Sequence, residues 1–256
     1  MTGTDAAAFF DRLDVAGAPR DLVALGGGLD VATLLAAYRA GCFPWPATAA
    51  DEAALDRDLR RLALGGDVPV VPGTDFAGLL LPWISPHPRP ILLPDQVTVP
   101  RSLRRRLRAC GWETTVDAAF DDVIAGCADR SETWITPAMH DAYRALHRAG
   151  VAHSLEVWAG DELVGGCYGV LTGRVFAGES MFHRLPDASK AGVVDLGRRL
   201  AEAGVVMIDT QDESEHMARL GQFLLHRTDY IELLHRFRDE PVTVAVGRRP
   251  VARLVM

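Results

Sequence analysis

The stretch from Val157 to Gln211 constrains the fold most, because it reads as strands, a helix and a further strand with carboxylates set among apolar neighbours. Strands are signalled near His153 to Trp158, Leu163 to Val170 and Val175 to Phe182, joined by turns at Ala159-Gly160-Asp161-Glu162 and Leu171-Thr172-Gly173-Arg174. A helix of roughly Ser189 to Ala203 follows, and Val205 to Asp209 returns to the sheet. The order β, β, β, α, β predicts an α+β fold with a mixed sheet and flanking helices. Val175, Phe176, Met181 and Phe182 surround Glu179, and Asp209 closes the run Val205-Val206-Met207-Ile208, a strand covered on both faces. An unpartnered charge in such surroundings is costly. A single buried acid is as often a satisfied ion pair or cap as a functional group, but two in one sheet point to a site. Gly165-Gly166 inside the middle strand predicts a bulge or a close approach by another backbone or a ligand.

Helix punctuation organises the rest. Asp30 caps a helix carrying Val31, Leu34, Leu35 and Tyr38, and Gly41 ends it before Cys42-Phe43-Pro44-Trp45-Pro46. From Ala47 to Leu80 the composition changes; a helix from about Asp51 ends at Gly65-Gly66, and the segment reads as a surface insertion. Pro90 to Leu93 reads as a strand after the proline-fixed Trp83-Ile84-Ser85-Pro86-His87-Pro88-Arg89. Asp117 is expected to cap the helix bearing Phe120, Val123, Ile124 and Cys127. Thr136 with Pro137 starts another, which Gly150 ends. Thr228 is expected to cap a last helix, and Val242 to Val246 to add a strand.

Composition narrows the function. With 256 residues and 48% hydrophobic content, the chain holds one large domain or two modest ones. No apolar run reaches the about 18 residues of a membrane span, and Met1-Thr2-Gly3-Thr4-Asp5 lacks the regions of a signal peptide, so a cytoplasmic protein is expected. Cys42, Cys110, Cys127 and Cys167 lack the spacing of a zinc site or disulfide framework, and the histidines lack metal spacing, so no metal is expected. His153 and His216 read as structural. The net charge of -7 argues against indiscriminate nucleic-acid binding, yet Arg101, Arg104, Arg105, Arg106 and Arg108 crowd one short helix. That helix is a candidate phosphate contact, or else a solvated face. Lys190 is the single lysine of the chain.

The meander, helix and strand resemble the core of the GNAT acyltransferases, but where their pyrophosphate-cradling glycine loop should open the helix stands Ala188-Ser189-Lys190-Ala191-Gly192. With Phe43-Pro44-Trp45, Trp83 to Arg89, Thr133-Trp134-Ile135-Thr136, His153 to Trp158, Gly178-Glu179-Ser180-Met181-Phe182 and Ile208-Asp209-Thr210-Gln211 in order, the chain resembles the leucyl/phenylalanyl-tRNA protein transferase family over roughly Leu25 to Tyr230. The resemblance implies a GNAT-like catalytic domain over 111–256, a smaller N-terminal domain over 1–110 with the insertion near 47–80, and no cofactor. It implies transfer of Leu or Phe, and Met less well, from aminoacyl-tRNA to proteins beginning with Arg or Lys, marking them for degradation. A monomer that does not engage membranes is expected. Asp209 and Gln211 are then the catalytic candidates, either drawing a proton from the attacking amine or only orienting it. Residues two apart on a strand face the same way, so both can meet the amine if extended geometry continues past Asp209. Cys167, Phe176 and Leu196 would line an apolar aminoacyl slot, with Glu179 meeting the donor's amino group. Trp83, Trp134 and Tyr143 would form the adenosine site, the tryptophans by stacking. Trp83-Ile84 stands where relatives carry paired aromatics, Leu196 where Phe can stand and Thr210 where Cys is familiar, which leaves the Leu versus Phe preference open. An acetyl-CoA-dependent N-acetyltransferase and a non-catalytic tRNA-binding adaptor are the competing readings.

Overall fold

The computed structural model describes residues 3–46, 52–131 and 133–255; the start of the 47–80 insertion, including Asp51, lies outside them. From the N-terminus, α1 (Gly3–Arg12) precedes β1 (Leu22–Leu25), α2 (Val31–Ala40) and β2 (Phe43–Pro44), and α3 (Glu52–Leu64) leads to β3 (Pro82–Ile84) and β4 (Arg89–Leu92). Next come α4 (Arg101–Ala109), β5 (Glu113–Val116), α5 (Phe120–Ala128) and α6 (Pro137–Arg148). The meander β6 (Ala152–Ala159), β7 (Glu162–Thr172) and β8 (Val175–His183) feeds α7 (Ala188–Ala203) and β9 (Met207–Asp209). Then α8 (Glu215–Ala218), β10 (Phe223–Leu225), α9 (Arg227–Phe237) and β11 (Arg249–Pro250) follow.

Among the described residues, β1, β3 and β2 form a small sheet, and the remaining strands form an eight-stranded sheet in the order β10-β4-β9-β8-β7-β6-β5-β11. Only β8 and β9 pair in parallel there, across the α7 crossover; the other pairs are antiparallel. This is the mixed α+β sheet with flanking helices that the sequence predicts. β4 sits between β10 and β9, so chain from before residue 110 is built into the large sheet. Successive residues alternate between its faces. Tyr168 and Met207 join the apolar cluster beneath α2, α5 and α6, whereas their neighbours Cys167 and Ile208 join the cluster beneath α4 and α7.

Local signals explain several boundaries. Asp30 accepts from Thr33 N at 3.1 Å, and Gly41 ends α2 with φ 90°, the left-handed conformation that glycine adopts without a Cβ penalty. Thr136 Oγ1 accepts from Met139 N at 3.3 Å with Pro137 at the first helical position. Thr136→Ala is therefore expected to cost about 1 kcal/mol, read as a lower urea midpoint at unchanged m-value.

Other boundaries differ from expectation. Asp117 adopts φ 59° and spends its carboxylate on Ser154 N and His153. The amides before α5 instead meet Glu156, which approaches Ala118 N and Ala119 N at 3.4 Å. The last helix begins one residue before Thr228, with His226 at its cap. Val242 to Val246 form no strand: Val246 O accepts from Val116 N of β5 at 3.3 Å, but Ala245 O and Gly247 O on either side accept from the buried Arg199 guanidinium. The Gly165 close approach is real, but its occupant is α7: a Cβ there would lie 2.8 Å from that of Ala188. The sequence does not announce α1, whose Phe10 packs edge-on against Trp83 at 4.9 Å.

Candidate active site

A β-bulge creates the centre of the site. Tyr168 pairs with Ser180 and Gly169 with Gly178, so Glu179 is the extra residue in β8. Such an insertion bends its strand and re-aims a side chain. Gly169 has no room for a larger residue, since a Cβ would come within 2.2 Å of Ala177 O and 2.6 Å of the Phe176 ring. Glu179 Oε1 accepts from Tyr38 Oη and Gln211 Nε2, both at 2.7 Å, and its Oε2 accepts from Tyr143 Oη at 2.6 Å. No cation pairs with it among the described residues. Burial pushes its carboxyl up to about 7, against the opposing effect of those donated hydrogen bonds.

Asp209 is the buried ion pair. Arg89, itself 1% exposed, donates Nε to Asp209 Oδ1 at 2.9 Å and Nη2 to Oδ2. Tyr230 Oη donates to Oδ2 at 3.0 Å, and Gln211 N to Oδ1 at 3.0 Å. Arg89 also lies over the rings of Tyr230 and Phe43 and donates Nη1 to Gly41 O at 3.2 Å. The carboxylate is thus saturated by four donors. The expected extended geometry past Asp209 does not occur: Gln211 has φ 62°, held by the bond from its own amide to Asp209. Its side chain meets Glu179 instead. Asp209 sets the Gln211 backbone, and Glu179 orients the Gln211 amide.

The pairing of β8 with β9 ends at Ala177 and Asp209, while β8 runs on to His183. An apolar slot opens where they part. Cys167, Phe176, Glu179 and Leu196 all line it, joined by Ile208 and Met217, and its volume is about 90 Å³. Burial pushes the Cys167 thiol up, so it is a neutral wall rather than a thiolate.

The aromatic candidates divide. Trp134, partly exposed, stacks on Trp45 with centroids 6.4 Å apart and planes 17° from parallel. Tyr143 is fully buried, edge-on to Trp134 and bonded to Glu179, so it offers no open face. Trp83 is corrected: it is 0% exposed and its Nε1 donates to Gly26 O at 2.8 Å, which leaves no ring face for a base. Trp45, 43% exposed, is the tryptophan that sequence reasoning missed, although Phe43-Pro44-Trp45 is one of the motifs that carry the family resemblance. Tyr38, Arg89 and Tyr230 were missed as well; Tyr38 and Tyr230 resembled ordinary stripe residues of their helices.

On the opposite flank, Arg101, Arg104, Arg105, Arg106 and Arg108 are exposed along α4. The first three have no hydrogen-bond or ion-pair partner among the described residues. Arg106 approaches Asp187 at 3.9 Å, and Asp187 in turn pairs with Lys190. Asp187 and Lys190 line a cavity of about 570 Å³ that also borders Arg130, Arg184 and His216 and meets the slot at Met181. A track of mixed but net positive charge, with Asp129 and Asp187 among its cations, thus joins α4 to the slot. A third cavity, about 400 Å³, adjoins Gln211 and Trp45 on the other side.

A family model described as leucyl/phenylalanyl-tRNA protein transferase matches residues 91–235, and one described as the N-terminal domain of that transferase matches residues 27–53. A leucyl/phenylalanyl-tRNA protein transferase of Shewanella sp. strain ANA-3 is 41% identical over 89% of this chain and 86% of its own. One of Chromohalobacter salexigens is 43% identical over 88% of this chain and 78% of its own. A solved GCN5-related N-acetyltransferase from Kribbella flavida aligns with 54% of this chain and 55% of its own at 14% identity and a TM-score of 0.37.

Proposed function

The chain belongs to the leucyl/phenylalanyl-tRNA protein transferase family, and from that premise we propose that it moves Leu or Phe from aminoacyl-tRNA onto the N-terminal Arg or Lys of proteins, marking them for degradation. The observation that carries the reading is the Glu179–Gln211 pair, 2.7 Å apart, at the mouth of an apolar slot. The slot is of the same order as the about 150 Å³ cavity that holds benzene, which suits a Leu or Phe side chain. The donor ester is already activated, so the enzyme's task is alignment and desolvation. Glu179 meets the donor's α-amino group. Gln211, its Nε2 anchored on Glu179, presents Oε1 to the acceptor's α-amine. That amine attacks the ester carbonyl, the carbon–oxygen bond to the terminal ribose breaks, and the amine's proton leaves with the ribose oxygen. Asp209 is a positioning residue in this scheme: its carboxylate is taken up by Arg89, Tyr230 and the Gln211 amide and holds the Gln211 turn. Trp134, partly exposed, supplies the stacking surface for the terminal adenine.

Acetyl transfer from acetyl-CoA is disfavoured because Ala188-Ser189-Lys190-Ala191-Gly192 opens α7 where a pyrophosphate-cradling glycine loop would stand. The test is transfer of radiolabelled leucine from Leu-tRNA to an Arg-initiated peptide, alongside calorimetric titration with acetyl-CoA. Labelled peptide without acetyl-CoA binding is expected. Among the described residues no helix is long and apolar enough to cross a membrane, and none group as a metal site.

The arginines of α4 are the phosphate contacts in this reading. Replacing Arg104, Arg105 and Arg106 by Ala should weaken Leu-tRNA binding and reduce the slope of log affinity against log salt, by up to about 0.9 for each duplex phosphate released or about 0.7 for each single-strand phosphate. Filter binding at several salt concentrations reads this. The parent slope and affinity would make α4 an ordinary solvated face.

A further inference from the structure

We propose that the cavity of about 400 Å³ beside Gln211 is the acceptor subsite, and that Asp212 and Glu213 select the cationic first side chain of the acceptor; this rests on the transferase reading above. Three observations converge on it. First, Gln211 is 7% exposed and lines this cavity, and its Oε1 accepts no hydrogen bond from any described residue. A nearly buried acceptor facing open space suits an ammonium or amine. Second, Asp212 and Glu213 line the same cavity with carboxylates that have no hydrogen-bond or ion-pair partner among the described residues. The remaining acid, Asp21, is already engaged by His87 N at 2.9 Å and Arg227 at 3.6 Å. Third, Trp45 contributes a partly exposed indole to the wall, a surface on which a guanidinium stacks well.

The charge distribution around the slot assigns the two substrates to opposite sides. The cavity reached through Met181 sets Lys190, Arg130 and Arg184 against Asp129 and Asp187, and its net positive lining continues towards the arginines of α4, which suits a polyanion. The cavity reached through Gln211 presents two free carboxylates, which would repel phosphates and attract Arg or Lys. An acceptor bound there brings its α-amine to Gln211 while its side chain reaches Asp212 and Glu213, adjacent in the chain to the residue that orients the amine.

The test compares two peptides identical except for their first residue, Arg or citrulline, whose ureido group keeps the shape and loses the charge. Leucine transfer from Leu-tRNA by the wild type should favour the Arg peptide in kcat/KM by about 10-fold or more, the factor that one charge-assisted hydrogen bond supplies. In the D212N/E213Q variant that ratio should collapse towards unity, through a raised KM for the Arg peptide and with the Kd for Leu-tRNA unmoved. In D212R/E213R the ratio should invert. An undiminished ratio in both variants, or a loss located in Leu-tRNA affinity, overturns the assignment and returns the cavity to the tRNA. Should the wild type transfer leucine to neither peptide, the transferase reading itself fails, an outcome distinct from a retained ratio.

Discussion

Arg89→Met is expected to lower stability by about 3–5 kcal/mol, the cost of leaving one member of a buried ion pair uncompensated, and to cut leucine transfer by 10-fold or more. The stability loss is a large share of the about 5–15 kcal/mol that holds a domain folded. It arises because Asp209, 0% exposed, would keep only Tyr230 Oη and Gln211 N as donors in place of a bidentate guanidinium. The activity loss has a separate origin. Arg89 ties Gly41 and Ser85 on the N-terminal side to Asp209 at the end of β9, and Asp209 holds Gln211 in its left-handed turn. The double variant R89M/D209L separates the two, since removing both charges of a buried pair is often close to neutral. It should recover much of the urea midpoint but little transfer, because the Gln211 amide then lacks its anchor. A folded R89M protein with wild-type single-turnover rates would refute the linkage between ion pair and glutamine.

What was legible in the sequence is local, and what was not is long-range. Thr136-Pro137 and Asp30 with Gly41 read correctly because a cap and its amides lie within four residues. The β6-β7-β8 meander read correctly because its turns are short and its strands alternate. The burial of Glu179 and Asp209 is legible in the apolar neighbours of their own strands. Their partners lie far off: Arg89 is 120 residues from Asp209 and Tyr38 is 141 from Glu179, and no periodicity reports such a pairing. That Trp83 is buried and Trp45 exposed is hidden for a related reason. Both follow a proline in a short extended segment, and only the packing of α1 onto Trp83 decides which indole is core. Asp117 looked like a cap because it precedes the apolar stripe of α5, but Glu156, from β6, satisfies those amides through space. The bulge at Glu179 left a trace in Gly169 and Gly178, yet glycines in a strand do not say which residue is expelled.

Glu179→Gln should produce opposite changes in stability and in donor binding, and the pH dependence of each identifies the same group. In the folded protein the carboxyl rises from its ordinary 4.5 to about 7, chiefly through burial. Between those values the folded state holds a proton that the unfolded chain has released. The resulting stability is therefore fully present below about pH 4.5 and is lost as pH rises through about 7. At about 1.4 kcal/mol per pH unit the amount is on the order of 3 kcal/mol. Glutamine never ionises, so the variant should match the wild type in urea unfolding at the acid end and exceed it above neutrality. Donor binding runs the other way. The donor's α-amino group stays an ammonium below its usual range of about 7.7–8.0, and only ionised Glu179 offers it a charge-assisted hydrogen bond worth about 1.5–3 kcal/mol. Wild-type affinity for Leu-tRNA should accordingly strengthen by about 10-fold as pH rises through about 7, while the variant stays weak and flat. The active form is then the less stable one, which accounts for a carboxylate held among Tyr38, Tyr143 and Gln211 with no cation beside it among the described residues. Equal Leu-tRNA affinity in the two proteins at every pH would mean that Glu179 serves only to hold Gln211, and that the donor's amine is read elsewhere.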